Sequence, residues 1–185
     1  MPDWLNKLLP ILVLLAVVVV VIRRLPRVEL GHSDAFRSRR VANWLPVGLA
    51  YAFLYMGRYN LNVAKTALGQ LMTTEDFGLI FGAGTLVYGF AFVVNGPITD
   101  LLGGRRAMLA SLVGAGAANL GMGLYLDSVV DKGAVDAGRL RLVFSLLYGL
   151  NMYFQSFGAV AIVKVNSAWF HVRERGSFSG IFGTM

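Results

Sequence analysis

The chain has 185 residues, of which 56% are hydrophobic and only 15% are charged. Soluble domains carry about 25% charged residues, so this composition excludes an ordinary soluble domain. The 17 basic residues outnumber the 10 acidic ones and give a net charge of +7. Because the basic residues stand in clusters between apolar runs, they indicate membrane orientation rather than nucleic-acid binding. The absence of cysteine excludes disulfides and thiolate metal sites.

The first predicted element is a helix at 5–22, followed directly by Arg23 and Arg24. Its uncharged part, Leu8–Ile22, has 15 residues and is marginal for crossing a bilayer core of roughly 30 Å. No small-residue cleavage site follows it. We therefore interpret the segment as an uncleaved signal-anchor helix, with a cleaved or interfacial segment as the alternative.

Four longer runs with at most one charged residue follow, and each is long enough to cross a bilayer as a helix. They are Val41–Ala64, Phe77–Thr99, Ala107–Leu126 and Leu142–Val163. A further apolar segment, 176–185, has only ten residues. We expect it to be the start of another transmembrane helix, so that the chain is a fragment cut inside that helix.

The loops between these runs are alternately basic and acidic. The segments 23–40, 100–106 and 171–175 carry arginines, whereas the loops near Asp76 and Asp127 are acidic. The positive-inside rule places the three basic segments in the cytoplasm, and the N-terminus outside if the first helix inserts. The pattern predicts a multi-pass protein of the cell membrane.

One charge interrupts the run Val41–Ala64, at Arg58. A charge in mid-bilayer costs on the order of 2.5–3.5 kcal/mol, so it indicates either a function or an escape to the interface. Helical spacing places Tyr51, Tyr55, Arg58, Asn62 and Lys65 on one face. We expect this polar stripe to face a bundle interior or a watery cavity, with snorkelling of Arg58 towards the Lys65 end as the alternative.

The run Leu142–Val163 has a similar stripe, formed by Tyr148, Asn151, Gln155 and Gly158. It predicts either a cavity lining or polar contacts between helices. Lys164 falls on the face opposite Gln155, and we expect it at the interface.

Glycines on one helix face predict close helix packing. Those concerned are Gly82, Gly89 and Gly96 in one run and Gly114, Gly116, Gly121 and Gly123 in the next.

The stretch "GPITDLLGGRR", Gly96–Arg106, predicts a tight cytoplasmic turn between two helices. Asp100 can accept hydrogen bonds from a neighbouring helix N-terminus, and Arg105 and Arg106 hold the turn on the cytoplasmic side.

No catalytic constellation stands out, since both histidines lie in basic juxtamembrane stretches. No phosphate-binding glycine loop is present either. We therefore expect neither an enzyme nor a bound cofactor.

The same stretch resembles the loop between the second and third helices of the major facilitator superfamily. Leu101 replaces the usual basic residue there, and the arginines come one position late. "YAFLYMGRYNLNVA" resembles the first helix of the organophosphate:phosphate antiporter family. "NMYFQSFGAV" resembles the fourth helix of that family, and "AWFHVRERGSFSGIFGT" resembles the entry into the fifth. Together these motifs cover about 145 residues in the family's order.

Some positions depart from the family pattern. Tyr59 stands where a second basic residue is frequent, and Phe92 stands where the second helix carries a cation. Val160 and Ala161 replace paired prolines, and Ala168 replaces a histidine. Arg58 is therefore the one substrate-site cation that the resemblance carries over to this chain.

The resemblance implies an all-α, polytopic membrane helix bundle, the N-terminal half of a major-facilitator-type fold with an extra N-terminal helix. Residues 1–40 would form that helix and a basic linker, and 41–185 the bundle, truncated inside its fifth core helix. The predicted substrate-binding residues are Arg58, Tyr51, Tyr55, Asn62 and Gln155. The predicted gating or structural residues are Gly96, Asp100, Gly103, Arg105, Arg106, Arg175 and Gly176.

The resemblance further implies secondary active transport of phosphorylated organic anions in exchange for inorganic phosphate. The expected partners are a small anionic solute, the lipid bilayer and the missing C-terminal half of the transporter, without nucleic acid. Three alternatives remain: a transporter-like sensor of an organophosphate, a transporter of another small solute, and a membrane enzyme acting on lipid phosphates.

Overall fold

The structure, a computed structural model of the chain, describes residues 8–9, 12–13, 16–17, 19–20, 23, 30–130 and 136–176. Most of the predicted helix at 5–22 and of the apolar segment 176–185 therefore lies outside the described residues. The described part contains four long helices and no strand. They are α1, Asp34–Leu68; α2, Thr74–Leu102; α3, Gly104–Val130; and α4, Ala137–Trp169.

Each helix extends beyond its uncharged run at both ends, because charged residues end burial in lipid without ending backbone hydrogen bonding. Among the described residues, α2, α3 and α4 are both long and apolar enough to cross a membrane, with mean hydropathies of 2.0, 1.5 and 1.3. The helix α1 has the length, at 35 residues, but is not among those three. It carries the polar stripe around Arg58, which lowers its hydropathy.

The chain divides into two compact units. The first unit is Trp44–Val165, and the second joins the described residues up to Asn43 with those from Asn166 onwards. In the first unit, side chains from all four helices and from the turn after α1 form the hydrophobic core. This core consists of Leu61, Leu68, Met72, Ile80, Met122, Leu140, Phe144, Tyr148 and Met152.

Short connections make successive helices antiparallel. A 3-10 turn, Gly69–Leu71, leads from α1 towards α2. Thr73 and Asp76 form a reciprocal capping box at the start of α2. Gly103 alone separates α2 from α3, with φ of 80° and its N–H bonded to the Thr99 carbonyl at 2.9 Å. This positive φ favours glycine, and the tight turn predicted from the sequence is confirmed.

Close helix packing occurs at one glycine that the sequence did not single out and at one that it did. A Cβ atom at Gly84 would overlap the Tyr148 ring, and one at Gly114 would overlap the Phe154 ring. Gly114 thus confirms part of the prediction for α3. For five other predicted glycines no described atom lies within 4 Å of a Cβ built there, so the prediction stays untested at them; they are Gly82, Gly89, Gly96, Gly116 and Gly123. Spacing places glycines on a common helix face but does not identify the face that meets a neighbour.

Candidate substrate site

The guanidinium group of Arg58 is half-buried in the first unit and contacts side chains of α1, α2 and α4. Its Nε atom donates to Gln155 Oε1 at 3.0 Å, and its Cζ atom lies 4.6 Å from the Tyr55 ring centroid and 4.8 Å from that of Tyr88. Tyr55 precedes Arg58 by three residues, so the side chain extends away from Lys65. Tyr88 is the middle residue of the 29-residue helix α2, about 21 Å from either helix end at 1.5 Å per residue. This direction differs from the snorkelling alternative.

A series of hydrogen bonds continues from Gln155 into the neighbouring helix. Gln155 Nε2 donates to Asn151 Oδ1 at 2.5 Å, and Asn151 Nδ2 donates to the Ala115 carbonyl in α3 at 3.0 Å. Gln155 is 2% exposed and Asn151 is fully buried. Because buried amides hold their orientation through such bonds, the series fixes the position of the Gln155 carbonyl oxygen beside Arg58.

The positive charge of Arg58 has no carboxylate partner within the described residues. The ion pairs there are Arg37–Asp34, Arg40–Glu174, Arg141–Asp76 and Lys164–Asp100. A cation–π contact contributes roughly 0.5–2 kcal/mol, and a hydrogen bond to a charged group contributes about 1.5–3 kcal/mol. Together these contacts offset part of the cost of burying the charge without neutralising it. Four of the five N–H donors of the guanidinium, those on its two Nη atoms, make no hydrogen bond among the described residues.

The other predicted binding residues are joined to this site to different degrees. The Tyr51 hydroxyl donates to the Tyr55 hydroxyl at 3.5 Å, and the two rings meet edge to face at 5.0 Å. The side chain of Asn62 is exposed on the next turn, and no hydrogen bond joins it to Arg58 among the described residues. Lys65 instead donates to the Thr74 hydroxyl at 3.4 Å and lies 4.9 Å from the Phe77 ring.

Two residues of the site were not among those predicted. Tyr88 is the one tyrosine in the apolar run of α2, and this was the available signal. Asn151 belongs to the polar stripe recognised in α4 but was left out of the predicted binding set. Contacts between helices distant in sequence bring both residues to Arg58, directly or through Gln155.

A second polar contact joins the C-terminal parts of α2 and α4. Lys164 Nζ donates to Asp100 Oδ1 at 2.5 Å and to the Asp100 backbone carbonyl at 3.2 Å. Asp100 thus has a lysine as its partner, where the sequence suggested a helix N-terminus. The Lys164 and Asp100 side chains are 34% and 74% exposed, consistent with a position near the ends of these helices. Gly96 lies one turn before Asp100 in α2, and Arg105 and Arg106 are exposed in the first turn of α3.

Arg175 and Arg40 have structural partners in the second unit. Arg175 donates from Nε to the Phe170 carbonyl at 3.2 Å and from Nη2 to the Ser167 carbonyl at 3.0 Å, and so caps the end of α4. Gly176 is the last described residue. Arg40 pairs with Glu174 at 3.1 Å and lies 4.8 Å from the Phe170 ring centroid.

Comparisons with known proteins place this site in context. The chain is 26% identical over 142 residues to the membrane sensor protein UhpC of Salmonella typhimurium, covering 76% of the chain and 29% of that protein. It is 25% identical over 151 residues to a probable hexose phosphate transport protein of Chlamydia muridarum, covering 80% of the chain and 30% of that protein.

The chain is 24% identical over 153 residues to the glycerol-3-phosphate transporter of Bacillus subtilis, covering 80% of the chain and 32% of that protein. The chain therefore matches about a third of the length of these relatives. No solved structure matches it significantly. The sequence pattern of the Major Facilitator Superfamily matches residues 47–185, which is most of the chain and includes every residue of the site. The chain belongs to the major facilitator superfamily.

Proposed function

We propose that the protein is a secondary active transporter of phosphorylated organic anions and exchanges them for inorganic phosphate. The observation that carries the proposal is Arg58, a cation at the middle of the bundle whose described partners are an amide and two aromatic rings. A guanidinium group presents a planar fork of donors that matches two oxygens of a phosphate. An anionic substrate would supply the missing counter-charge.

The residues around Arg58 would then have separate roles. Arg58 would bind the phosphoryl group, and Gln155 would hold the guanidinium in place. Tyr51 and Tyr55 would line the cavity on the N-terminal side of Arg58, and Asn62 would line it one turn further along α1. Transport in this superfamily fold requires a second set of helices that rocks against the first around a site in mid-membrane. In a longer protein of the length of the relatives, a C-terminal half would supply that set.

The relatives support the nature of the substrate. The names of two of them state hexose phosphate and glycerol 3-phosphate, which share a phosphate monoester. The common chemistry is a dianionic phosphoryl group on a small polyol. It is this group that an arginine near two aromatic rings can recognise, while the polyol would contact other polar residues of the cavity.

The proposed orientation places the basic segments 23–40, 100–106 and 171–175 in the cytoplasm. The acidic start of α2 and the C-terminal end of α3 would then lie outside. The Asp100–Lys164 pair would lie on the cytoplasmic side of the bilayer. Reporter fusions after Arg106 and Arg175 should therefore report cytoplasm and a fusion after Thr73 the outside, and the reverse pattern would overturn the orientation.

Sensing is the second candidate function, because one of the relatives is a membrane sensor protein at 26% identity. The site would bind the same anion in a sensor and in a transporter. The two functions differ in whether occupancy of the site leads to movement of the anion across the bilayer.

The test is counterflow with the full-length protein in proteoliposomes. Vesicles loaded with inorganic phosphate should accumulate labelled glycerol 3-phosphate or hexose phosphate, whereas protein-free vesicles and vesicles with the Arg58→Ala variant should not. Saturable binding without counterflow would favour the sensor. Absence of both binding and counterflow for phosphate and for both esters would contradict an organophosphate site.

A further inference from the structure

The hydrogen bonds behind Arg58 have a single possible direction. The Ala115 carbonyl can only accept, so Asn151 must present its Nδ2 group to it, and this directs Asn151 Oδ1 towards Gln155. Gln155 must then present Nε2 to Asn151, which leaves its Oε1 atom for the Arg58 Nε donor. A reversed Gln155 amide would set an N–H against an N–H on the arginine side and an oxygen against an oxygen on the asparagine side.

The same bonds determine which edge of the guanidinium remains available. The Nε donor points to Gln155, and the Cζ atom lies over the Tyr55 and Tyr88 rings, 4.6 and 4.8 Å from their centroids. The remaining donors are those of the two Nη atoms, which form the end of the fork opposite the side-chain stem. Two ligand oxygens can bind there in the plane of the group.

We propose that Asn151 is the positioning residue of this site and that it acts through Gln155 so that an anion binds end-on to the two Nη groups of Arg58. This proposal rests on the proposed function, since it assumes that Arg58 binds the anion. Asn151 itself touches no ligand, because it is fully buried one helical turn from Gln155. Its role is to prevent rotation of the Gln155 amide, which would release the guanidinium.

Asn95 supplies a matched control. It is also a fully buried asparagine between two helices, and its Nδ2 donates to Ser156 Oγ at 2.6 Å and to the Tyr153 carbonyl at 3.3 Å. The hydrogen bonds of Asn95 do not lead to Arg58. Asn95→Leu and Asn151→Leu therefore each remove a fully buried asparagine amide, while only the second change removes a hydrogen bond to Gln155.

The experiment is equilibrium binding of labelled inorganic phosphate to the full-length protein in detergent. Asn151→Leu should weaken binding by about tenfold, while Asn95→Leu should stay within about twofold of the unmodified protein at equal yield. The Ala115 carbonyl keeps the Asn119 side-chain donor at 3.2 Å in the Asn151 variant, so the loss concerns Gln155 and Arg58. In an Arg58→Lys background, Asn151→Leu should change affinity by less than about twofold, since lysine has no fork to orient.

The binding edge has a spectroscopic test that needs no change at Asn151. The full-length protein is labelled with ¹⁵N-arginine for NMR, and the Arg58 signals are assigned as those absent from the Arg58→Lys spectrum. Phosphate should then shift the Nη resonances of Arg58 and leave its Nε resonance in place. A phosphate-dependent shift confined to Nε would overturn the proposal, as would equal binding losses for Asn151→Leu and Asn95→Leu. If Arg58→Ala loses phosphate binding but Asn151→Leu does not, the positioning role fails alone. If the unmodified protein binds no phosphate, the proposed function fails with it.

Discussion

Two arginines of α1, Arg40 and Arg58, each lie near two aromatic rings but have different hydrogen-bond partners. Arg40 lies 4.8 Å from the Phe170 ring centroid and 5.8 Å from that of Phe36, and it pairs with the Glu174 carboxylate. Arg58 has a closely similar pair of ring contacts, but its polar partner is the Gln155 amide. A carboxylate neutralises the cation, whereas an amide positions it and leaves the charge available to a ligand.

The comparison explains why one arginine is structural and the other a candidate binding residue. The Glu174 carboxylate also accepts from the His171 backbone N–H at 3.2 Å, so the Arg40 pair holds the segment after α4 in place. The hydrogen bonds behind Arg58 run instead through two neutral amides to a backbone carbonyl. Substitutions that exchange the two kinds of partner, replace Arg58, or remove the Asp100–Lys164 contact test this difference.

The largest effect is expected from Gln155→Glu, which gives Arg58 the kind of partner that Arg40 has. A carboxylate beside the guanidinium repels an incoming anion, a cost of several kcal/mol for like charges in close contact. Phosphate affinity should fall by at least about 100-fold, or about 2.7 kcal/mol. The measurement is phosphate binding by calorimetry at equal protein yield, and binding within threefold of that of the unmodified protein would contradict the role assigned to Gln155.

Arg58→Lys should have the next largest effect. Lysine keeps the charge but offers a point charge in place of a planar fork. Affinity for phosphate and organophosphates should fall about tenfold, which corresponds to about 1.4 kcal/mol. Arg40→Lys serves as the matched control and should leave phosphate affinity unchanged. If both variants lose affinity equally, the loss reflects folding rather than recognition.

Asp100→Asn should lower the rate of transport more than the affinity for substrate. The charge that contacts Lys164 would be lost, and this contact is expected to form in only one of the two access states. Counterflow should slow several-fold while substrate affinity stays nearly intact. Because the Asp100 side chain is 74% exposed, stability should change by less than about 1 kcal/mol. Parallel losses of binding and flux would assign Asp100 a direct contact with substrate or a role in folding.

The smallest effect on binding is expected from Glu174→Gln, which gives Arg40 the kind of partner that Arg58 has. The Arg40 and Glu174 side chains are only 19% and 16% exposed, so the lost charge pair should lower stability by about 1 kcal/mol. Thermal unfolding in detergent should show this decrease, while phosphate affinity remains unchanged. An altered phosphate affinity would show that the second unit takes part in binding.

The sequence was sufficient to predict the helices and the polar helix face that carries Arg58, but not the contacts between helices. Charge-free runs located α2, α3 and α4 to within three to six residues at each end, because lipid demands uninterrupted apolar length. Helix phase placed Tyr55, Arg58 and Gln155 on polar stripes, and the structure brings these three together. Phase does not state which helices are neighbours, so Tyr88 and the Asp100–Lys164 pair were not predicted.

The glycines illustrate the same limit. A Cβ atom at Gly84 would overlap the Tyr148 ring, while one at Gly82 or Gly89 in the same helix would meet no described atom within 4 Å. All three residues lie in one apolar run, and their spacing alone does not separate them. Contact depends on the rotation of each helix about its axis, which is determined by the large side chains of other helices. Tyr148 and Phe154 thus decide which glycines are essential to packing.

The most direct test of the central claim is phosphate binding to three full-length proteins: the unmodified protein, Arg58→Ala and Arg40→Ala. The change at Arg58 removes the cation that has no carboxylate partner, and the change at Arg40 removes the paired one. We predict that Arg58→Ala abolishes phosphate binding at unchanged membrane levels. The folded fraction of the Arg40→Ala variant should bind phosphate with the affinity of the unmodified protein. Unchanged binding by Arg58→Ala would contradict the assignment of Arg58 as the anion-binding residue.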